Sequence, residues 1–278
     1  MFVLSRKQAH QVAGWWLQVV VLLLTTTTIT IHVAHGLPTA GWEPSDVPVQ
    51  KTIANGTLDP HCIHCHTKQV TRARSTTLAP PDVVFLGDSI TLSWKTNGKS
   101  TWAAHFADRS AVVACSGYQT QHLLWSLLHG SVDFVQPHAT RFAVLNVGTN
   151  NLAFNHTAEQ VLSGQRKLLE VLHAKLPKTR VLVLAPFPRS TYGQAQNDDE
   201  RQLLVAKRIR ANAMLSTYLE DPRDKFVDLG HIFLHLNGSL RQDLFVDGLH
   251  LNAAGYTLLA KELERQFVKE AAPAFGWP

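Results

Sequence analysis

From residue 82 to about residue 270, short aliphatic and β-branched runs alternate with longer stretches whose apolar residues recur at helical spacing. The runs are Val83–Leu86, Ala111–Cys115, Phe142–Val147, Val181–Ala185 and Phe226–Leu229, each of strand length. Between them lie helical patterns. Gln119–His129 carries Leu123, Leu124, Leu127 and Leu128; Thr157–Lys175 carries Val161, Leu168, Leu169 and Leu172 and opens with Thr157 and Gln160, the pair of a capping box. Asp199–Leu219 follows, and Asn252–Lys269 places Tyr256, Leu259, Ala260, Leu263 and Phe267 on one face. Strands that alternate with helices predict an α/β domain: a mainly parallel five-stranded sheet covered on both sides, in three layers α/β/α. Chemistry in such a domain is expected at the carboxyl ends of the strands.

The chain ahead of residue 81 reads differently. Arg6 and Lys7 precede an uncharged stretch from Val12 to Ile31 whose centre, Trp15 to Leu24, is strongly apolar. Residues 1–36 read as a secretory signal peptide, with Ala34 and Gly36 as small residues suited to cleavage after Gly36, or as an uncleaved signal anchor. Either reading places the rest of the chain outside the cytosol, secreted or membrane-anchored, since the basic start stays inside. Residues 37–80, with Pro38, Pro44, Pro48 and Pro60, show little apolar periodicity and are expected to form a linker and a leading segment packed on the domain. The domain then spans 81–272, and 273–278 is a short tail.

Composition narrows the class. With 45% hydrophobic and 17% charged residues in 278, the chain has enough apolar surface to fill a core and is not a disordered, collagenous or coiled-coil sequence. The formal charge of +5 comes from 26 basic and 21 acidic residues that are interspersed, so no basic block argues for nucleic acid. Three sequons, at Asn55, Asn155 and Asn237, agree with export as candidate N-glycosylation sites.

Four pieces at strand or helix ends can carry chemistry. After the first run comes Gly87-Asp88-Ser89-Ile90, where a serine at the start of a helix has an exposed hydroxyl and nearby backbone N–H groups that favour a negatively charged oxygen. An N-cap serine is the plain alternative. After the second run, the glycine of Ser116-Gly117-Tyr118 lets the backbone approach a ligand and offer its N–H, or simply makes a turn. The third run ends in Asn146-Val147-Gly148-Thr149-Asn150-Asn151, where an amide side chain can donate to a developing oxyanion. Last is Asp247-Gly248-Leu249-His250, in which a carboxylate three residues from an imidazole can fix its tautomer and leave the other ring nitrogen to act as base.

In this order the four pieces supply nucleophile, donor, donor and base, and together they resemble the SGNH (GDSL-type) hydrolase superfamily. Within it the chain is most similar to esterases related to the catalytic subunits of platelet-activating-factor acetylhydrolase. Thr120-Gln121-His122-Leu123-Leu124-Trp125, Phe187-Pro188-Arg189 and Gly255-Tyr256 add to the likeness, which extends over about residues 60 to 270. Ile90 stands where the family name has Leu, a volume-conserving change. The resemblance implies a flavodoxin-like α/β/α domain and a serine esterase with Ser89, His250 and Asp247 as catalytic residues. It implies an oxyanion hole from the N–H groups of Ser89 and Gly117 and the amide of Asn150, with no cofactor and no metal. The expected substrate is a small acyl ester, acetyl foremost, on a small molecule or a polysaccharide. A lipid acyl hydrolase and a non-catalytic surface-binding member of the fold are the alternatives. Membrane contact is expected only with an uncleaved anchor. An α/β-hydrolase elbow is excluded, since G-x-S-x-G would need glycine where Thr91 stands.

His61-Cys62-Ile63-His64-Cys65-His66 stands outside this scheme. Cys62 to His66 spells the c-type haem attachment pattern, but the chain holds only Met1 and Met214 as thioether ligands. A transition-metal site lacks a second ligand pair in the sequence. The expectation is a Cys62–Cys65 disulfide or two independent thiols, with Cys115 as a small buried apolar residue. Trp94, Trp102 and Trp125 are expected in the core rather than lining a pocket.

Overall fold

The computed structural model describes residues 44–73, 79–135, 139–190 and 197–271. Residues 1–36, read above as a signal peptide or anchor, and the expected tail 273–278 lie outside them. Among the described residues, no helix is long and apolar enough to cross a membrane.

Five strands form one sheet: β1 (Val83–Gly87), β2 (Ser110–Ala114), β3 (Phe142–Asn146), β4 (Arg180–Leu184) and β5 (Asp224–Val227). They lie in the order β2-β1-β3-β4-β5 and every pairing is parallel. All five expected runs are therefore strands, shifted by a residue or two. β1 is central, with Phe85 opposite Val112 on one side and Val144 on the other. The chain leaves β1 outward to β2 and then returns to the far side of β1 with β3. That reversal opens a crevice beyond the carboxyl ends of β1 and β3, where ligands of such sheets bind.

The helices are α1 (Pro60–Ala73), α2 (Ser89–Leu92), α3 (Lys99–His105), α4 (Thr120–Leu128), α5 (Thr149–Ala153), α6 (Ala158–Lys175), α7 (Asp198–Tyr218) and α8 (Ala253–Ala271). Because strand side chains alternate between faces, the sheet feeds two cores. Val83, Phe85, Phe142, Val144, Leu182 and Leu184 point to one side, against Trp94, Trp102, Phe106 and the Tyr256, Leu259, Leu263 and Phe267 stripe of α8. Val84, Leu86, Val113, Ala143, Leu145, Val181 and Val183 point to the other, against leucines of α4 and α6. The capping box of α6 is present: the Gln160 amide donates to the Thr157 hydroxyl oxygen at 3.2 Å and the Thr157 amide to Gln160 Oε1 at 2.7 Å.

Trp94 and Trp102 are core residues, packed with Phe85 and Tyr256; the Phe85–Trp102 and Trp94–Tyr256 ring centroids lie 5.2 and 4.5 Å apart. Trp125 is half-buried instead, stacked on His129 at 4.1 Å.

The leading segment contains a regular helix, α1, which lacks an aliphatic stripe because its inward face is Cys62, Cys65 and Gln69. Gln69 Nε2 donates to the Ala114 carbonyl at 3.0 Å and so holds α1 against the end of β2. The disulfide is not Cys62–Cys65 but Cys62–Cys115, with Cα atoms 5.6 Å apart; Cys65 is a free, buried thiol. Helix geometry explains the change. Residues three apart on a helix hold their Cβ atoms about 5–6 Å apart, more than the ~3.5–4.5 Å that a disulfide spans. The end of β2 brings Cys115 closer; it is fully buried in the apolar core, as expected, but its sulfur is bonded to Cys62.

Candidate active site

The turn after β1 is built by packing. Gly87 has no room for a side chain: a Cβ there would lie 2.2 Å from the Asn146 carbonyl oxygen and 2.3 Å from Thr91 Oγ1. The next residue, Asp88, caps α2. Its Oδ1 accepts from the Ile90 amide at 2.9 Å, and its carbonyl accepts from the Leu92 amide at 2.8 Å. This leaves Ser89 half-buried at the first helical position. α2 is a single four-residue turn, so it brings little macrodipole and the local N–H groups matter instead. Below the turn, Tyr256 of α8 donates its hydroxyl to the Ile90 carbonyl at 2.6 Å.

The turn that carries His250 is fixed from both sides. Phe245 and Leu251 form an antiparallel bridge, and the Val246 amide donates to the His250 carbonyl at 2.8 Å. Gly248, at φ +76°, occupies the left-handed region where a side chain is disfavoured. A Cβ there would also collide with Ser190 Oγ, while the Ser190 amide donates to the Gly248 carbonyl at 2.9 Å. Within this turn Asp247 Oδ1 accepts from the amides of Leu249 (3.0 Å) and His250 (2.7 Å).

The two turns meet across the crevice. Ser89 Oγ lies 2.9 Å from His250 Nε2, and Asp247 Oδ2 lies 2.7 Å from His250 Nδ1. Nδ1–H then donates to the carboxylate and the Nε2 lone pair faces the serine hydroxyl, the tautomer a general base needs. Burial pushes the Asp247 carboxyl up, but hydrogen bonds from the His250 amide and ring and the Leu249 amide outweigh it and leave the group below its usual value. Asp247 therefore stays ionised beside the imidazole.

The remaining predicted donors lie on the neighbouring turns. Gly117 sits at φ +71° in the tight turn closed by the Tyr118 amide on the Cys115 carbonyl at 3.2 Å. Asn150 is buried in α5, and its Nδ2 donates to the Tyr118 carbonyl at 2.9 Å. That bond ties the third block to the second. An amide nitrogen has two hydrogens, so Asn150 keeps one for an oxyanion. Gly148 at φ +123° makes the approach to α5 possible. Asn151 is fully buried, and its side chain joins the Thr120 amide and hydroxyl to Gln121 and His156.

Three features near the site have no stated role in the sequence reading. Asp88 is fully buried; burial pushes its carboxyl up to about 7 against the opposing pull of the Ile90 amide, Arg189 and His250. Its Oδ2 meets no hydrogen-bond partner among the described residues. An acid directly before the serine is an N-cap signal that could have disclosed this position. Arg189, also buried, donates to Thr149 Oγ1 at 3.3 Å. Lys51, ion-paired with Asp59, lies beside Gly117; nothing in its flanking sequence signals that.

Residues 85–258 match the GDSL-like Lipase/Acylhydrolase family. The alpha1 subunit of platelet-activating factor acetylhydrolase IB from Rattus norvegicus is 33% identical over 197 residues, 70% of this chain and 79% of that protein. The alpha2 subunit from the same organism is 29% identical over 185 residues, 66% of this chain and 74% of that one. Among solved structures, a GDSL-like lipase from Bacteroides thetaiotaomicron superposes with a TM-score of 0.58 at 18% identity, covering 74% of this chain and 98% of that one. The catalytic-type cluster, the sheet order and these likenesses agree, and the chain belongs to the GDSL-like lipase/acylhydrolase (SGNH) family of carboxylic ester hydrolases.

Proposed function

We propose that the protein hydrolyses small acyl esters, acetyl esters above all, outside the cytosol, through an acyl intermediate on Ser89. The Ser89–His250 distance of 2.9 Å, with Asp247 behind the ring, is the observation that carries the reading. His250 Nε2 takes the hydroxyl proton as Ser89 Oγ attacks the ester carbonyl, forming the new C–O bond. The oxyanion is held by the Ser89 and Gly117 amides and the second N–H of Asn150, each donor lowering the barrier by roughly 2.7–4 kcal/mol. His250 returns the proton to the leaving alcohol as its bond to the acyl carbon breaks. A water, deprotonated in the same way, then releases the acid and restores Ser89.

The acetyl preference is supported by the relatives named acetylhydrolases. Export is supported by the basic and apolar start of the chain and by the Cys62–Cys115 disulfide, a bond that persists in oxidising compartments. The alcohol is proposed to be a carbohydrate hydroxyl, in keeping with a site outside the cell. A series of nitrophenyl esters from acetyl to octanoyl, run with acetylated polysaccharides and lipid esters, tests the substrate. Turnover is expected to be greatest with acetyl and absent in Ser89→Ala. A maximum at octanoyl would favour the lipid alternative. Failure of a fluorophosphonate to label Ser89 would favour a non-catalytic binder.

A further inference from the structure

Behind the Gly117 turn, three cysteines and a histidine converge from two distant parts of the chain. His61 and Cys65 are one helical turn apart on α1, and His61 Nε2 lies 3.6 Å from Cys65 Sγ. Cys115, just past the end of β2, brings its sulfur to them: the ligating atoms of His61, Cys65 and Cys115 lie within 4.8 Å of one another. The third sulfur, that of Cys62, is bonded to Cys115. His61 and the two helix cysteines are local, and Cys115, from the end of the sheet, is the donor that the local sequence does not supply.

Cys3His is a donor set of structural zinc sites, in which sulfurs about 2.3 Å from the metal stand about 3.8 Å from each other. The His61–Cys65 edge already has that length. The Cys62–Cys115 edge is too short, because a covalent bond closes it. Cys62 and Cys65 lie in the first two turns of the 14-residue α1. Asp59 caps the same end, accepting from the His61 amide at 2.9 Å and the Cys62 amide at 3.3 Å.

The geometry points to a reduction-gated zinc site made of His61, Cys62, Cys65 and Cys115. A thiol or phosphine reductant supplies two electrons to the Cys62–Cys115 bond, and both sulfurs become thiols. A phosphine leaves as its oxide, having taken an oxygen from water; two small thiols leave as their own disulfide. Zn²⁺ then displaces three thiol protons to solvent and accepts the lone pair of the His61 imidazole. In either state, disulfide or metal, the start of α1 stays tied to the residue that leads into Ser116-Gly117.

The test uses the full chain, oxidised or reduced with tris(2-carboxyethyl)phosphine and freed of excess reagent. Each form is titrated with Zn²⁺ against a chromophoric chelator, and with Co²⁺ by visible absorption. The reduced protein is expected to take up about one equivalent, with the intense bands of tetrahedral cobalt thiolate, and the oxidised protein less than about a tenth of that. Cys65→Ser and His61→Ala leave the disulfide intact, and each is expected to weaken uptake about tenfold or more. Uptake that survives both substitutions, or no uptake by the reduced wild type, overturns the site. If reduction loosens the fold, zinc restores the near-UV circular dichroism of the wild type and not of the variants; failure to restore it overturns the site equally.

Discussion

The imidazole of His250 stands 2.9 Å from the hydroxyl of Ser89, although 161 residues of chain separate them. Each sits on a turn held by its own local hydrogen bonds, so neither depends on the other for its position. Ser89→Ala is therefore expected to keep the fold, read as unchanged near-UV circular dichroism, and to lose hydrolysis of nitrophenyl acetate by about 10³-fold or more. Asp247→Asn keeps the size of the side chain but inverts the hydrogen bond to Nδ1, and is expected to lower kcat by about 10²–10⁴-fold. Full activity in either variant contradicts the assignment.

Asp88 makes stability depend on pH in a direction opposite to that of most carboxylates. In the folded chain it keeps its proton up to about 7, against 3.8 for the free group. Between these values the fold binds more protons than the unfolded chain, so this carboxyl makes stability fall as pH rises from about 4 to about 7. Asp88→Asn keeps an acceptor for the Ile90 amide and carries no charge. Urea midpoints at about pH 5 and pH 8 should show the wild type losing ground to the variant as pH rises. A constant difference between the two proteins would rule out this role for Asp88.

Gly87 separates crowding from backbone strain. Its missing Cβ is replaced by the Asn146 carbonyl and the Thr91 hydroxyl, both within 2.3 Å of where it would lie. Gly87→Ala is expected to cost about 3 kcal/mol or more in urea unfolding and to displace Ser89, lowering turnover. Gly56→Ala is the control. It has φ +80° but nothing within 4 Å of the added carbon, so its cost is expected to stay near ~1 kcal/mol with activity unchanged. Equal losses in the two variants would mean that crowding is not what the glycine relieves.

The disulfide closes a loop between residues 53 apart in sequence. Loop-closure entropy for that length corresponds to about 4 kcal/mol of stability. Cys115→Ser is expected to lower the urea midpoint accordingly. Unreduced, denatured wild type should react at one thiol, Cys65, and a peptide map should link Cys62 to Cys115. A link from Cys62 to Cys65 would reverse the assignment.

The parts of the fold that were legible in the sequence follow simple periods. The strands were readable because residues such as Val83 and Phe85 face one core while Val84 and Leu86 face the other. Thr157 and Gln160 marked the start of α6 because a capping box is local chemistry. Ser89, Asn150 and His250 could be ordered because strand ends gather at one edge of a parallel sheet. What was hidden is long-range or without a period. The inward face of α1 is cysteine and glutamine rather than leucine. The partner of Cys62 depends on where β2 stops, and the approach of Lys51 to Gly117 depends on the path of the segment ahead of α1.

The span between Ser89 and His250 also sets an order of events during synthesis. At about 5–20 residues per second, the ribosome adds the imidazole roughly 8–30 s after the hydroxyl. Throughout that interval the nascent polypeptide holds the serine without the imidazole that faces it in the finished fold. Acyl chemistry therefore has to wait until the turn ahead of α8 has been translated and has docked, and a half-made enzyme is inert toward esters around it.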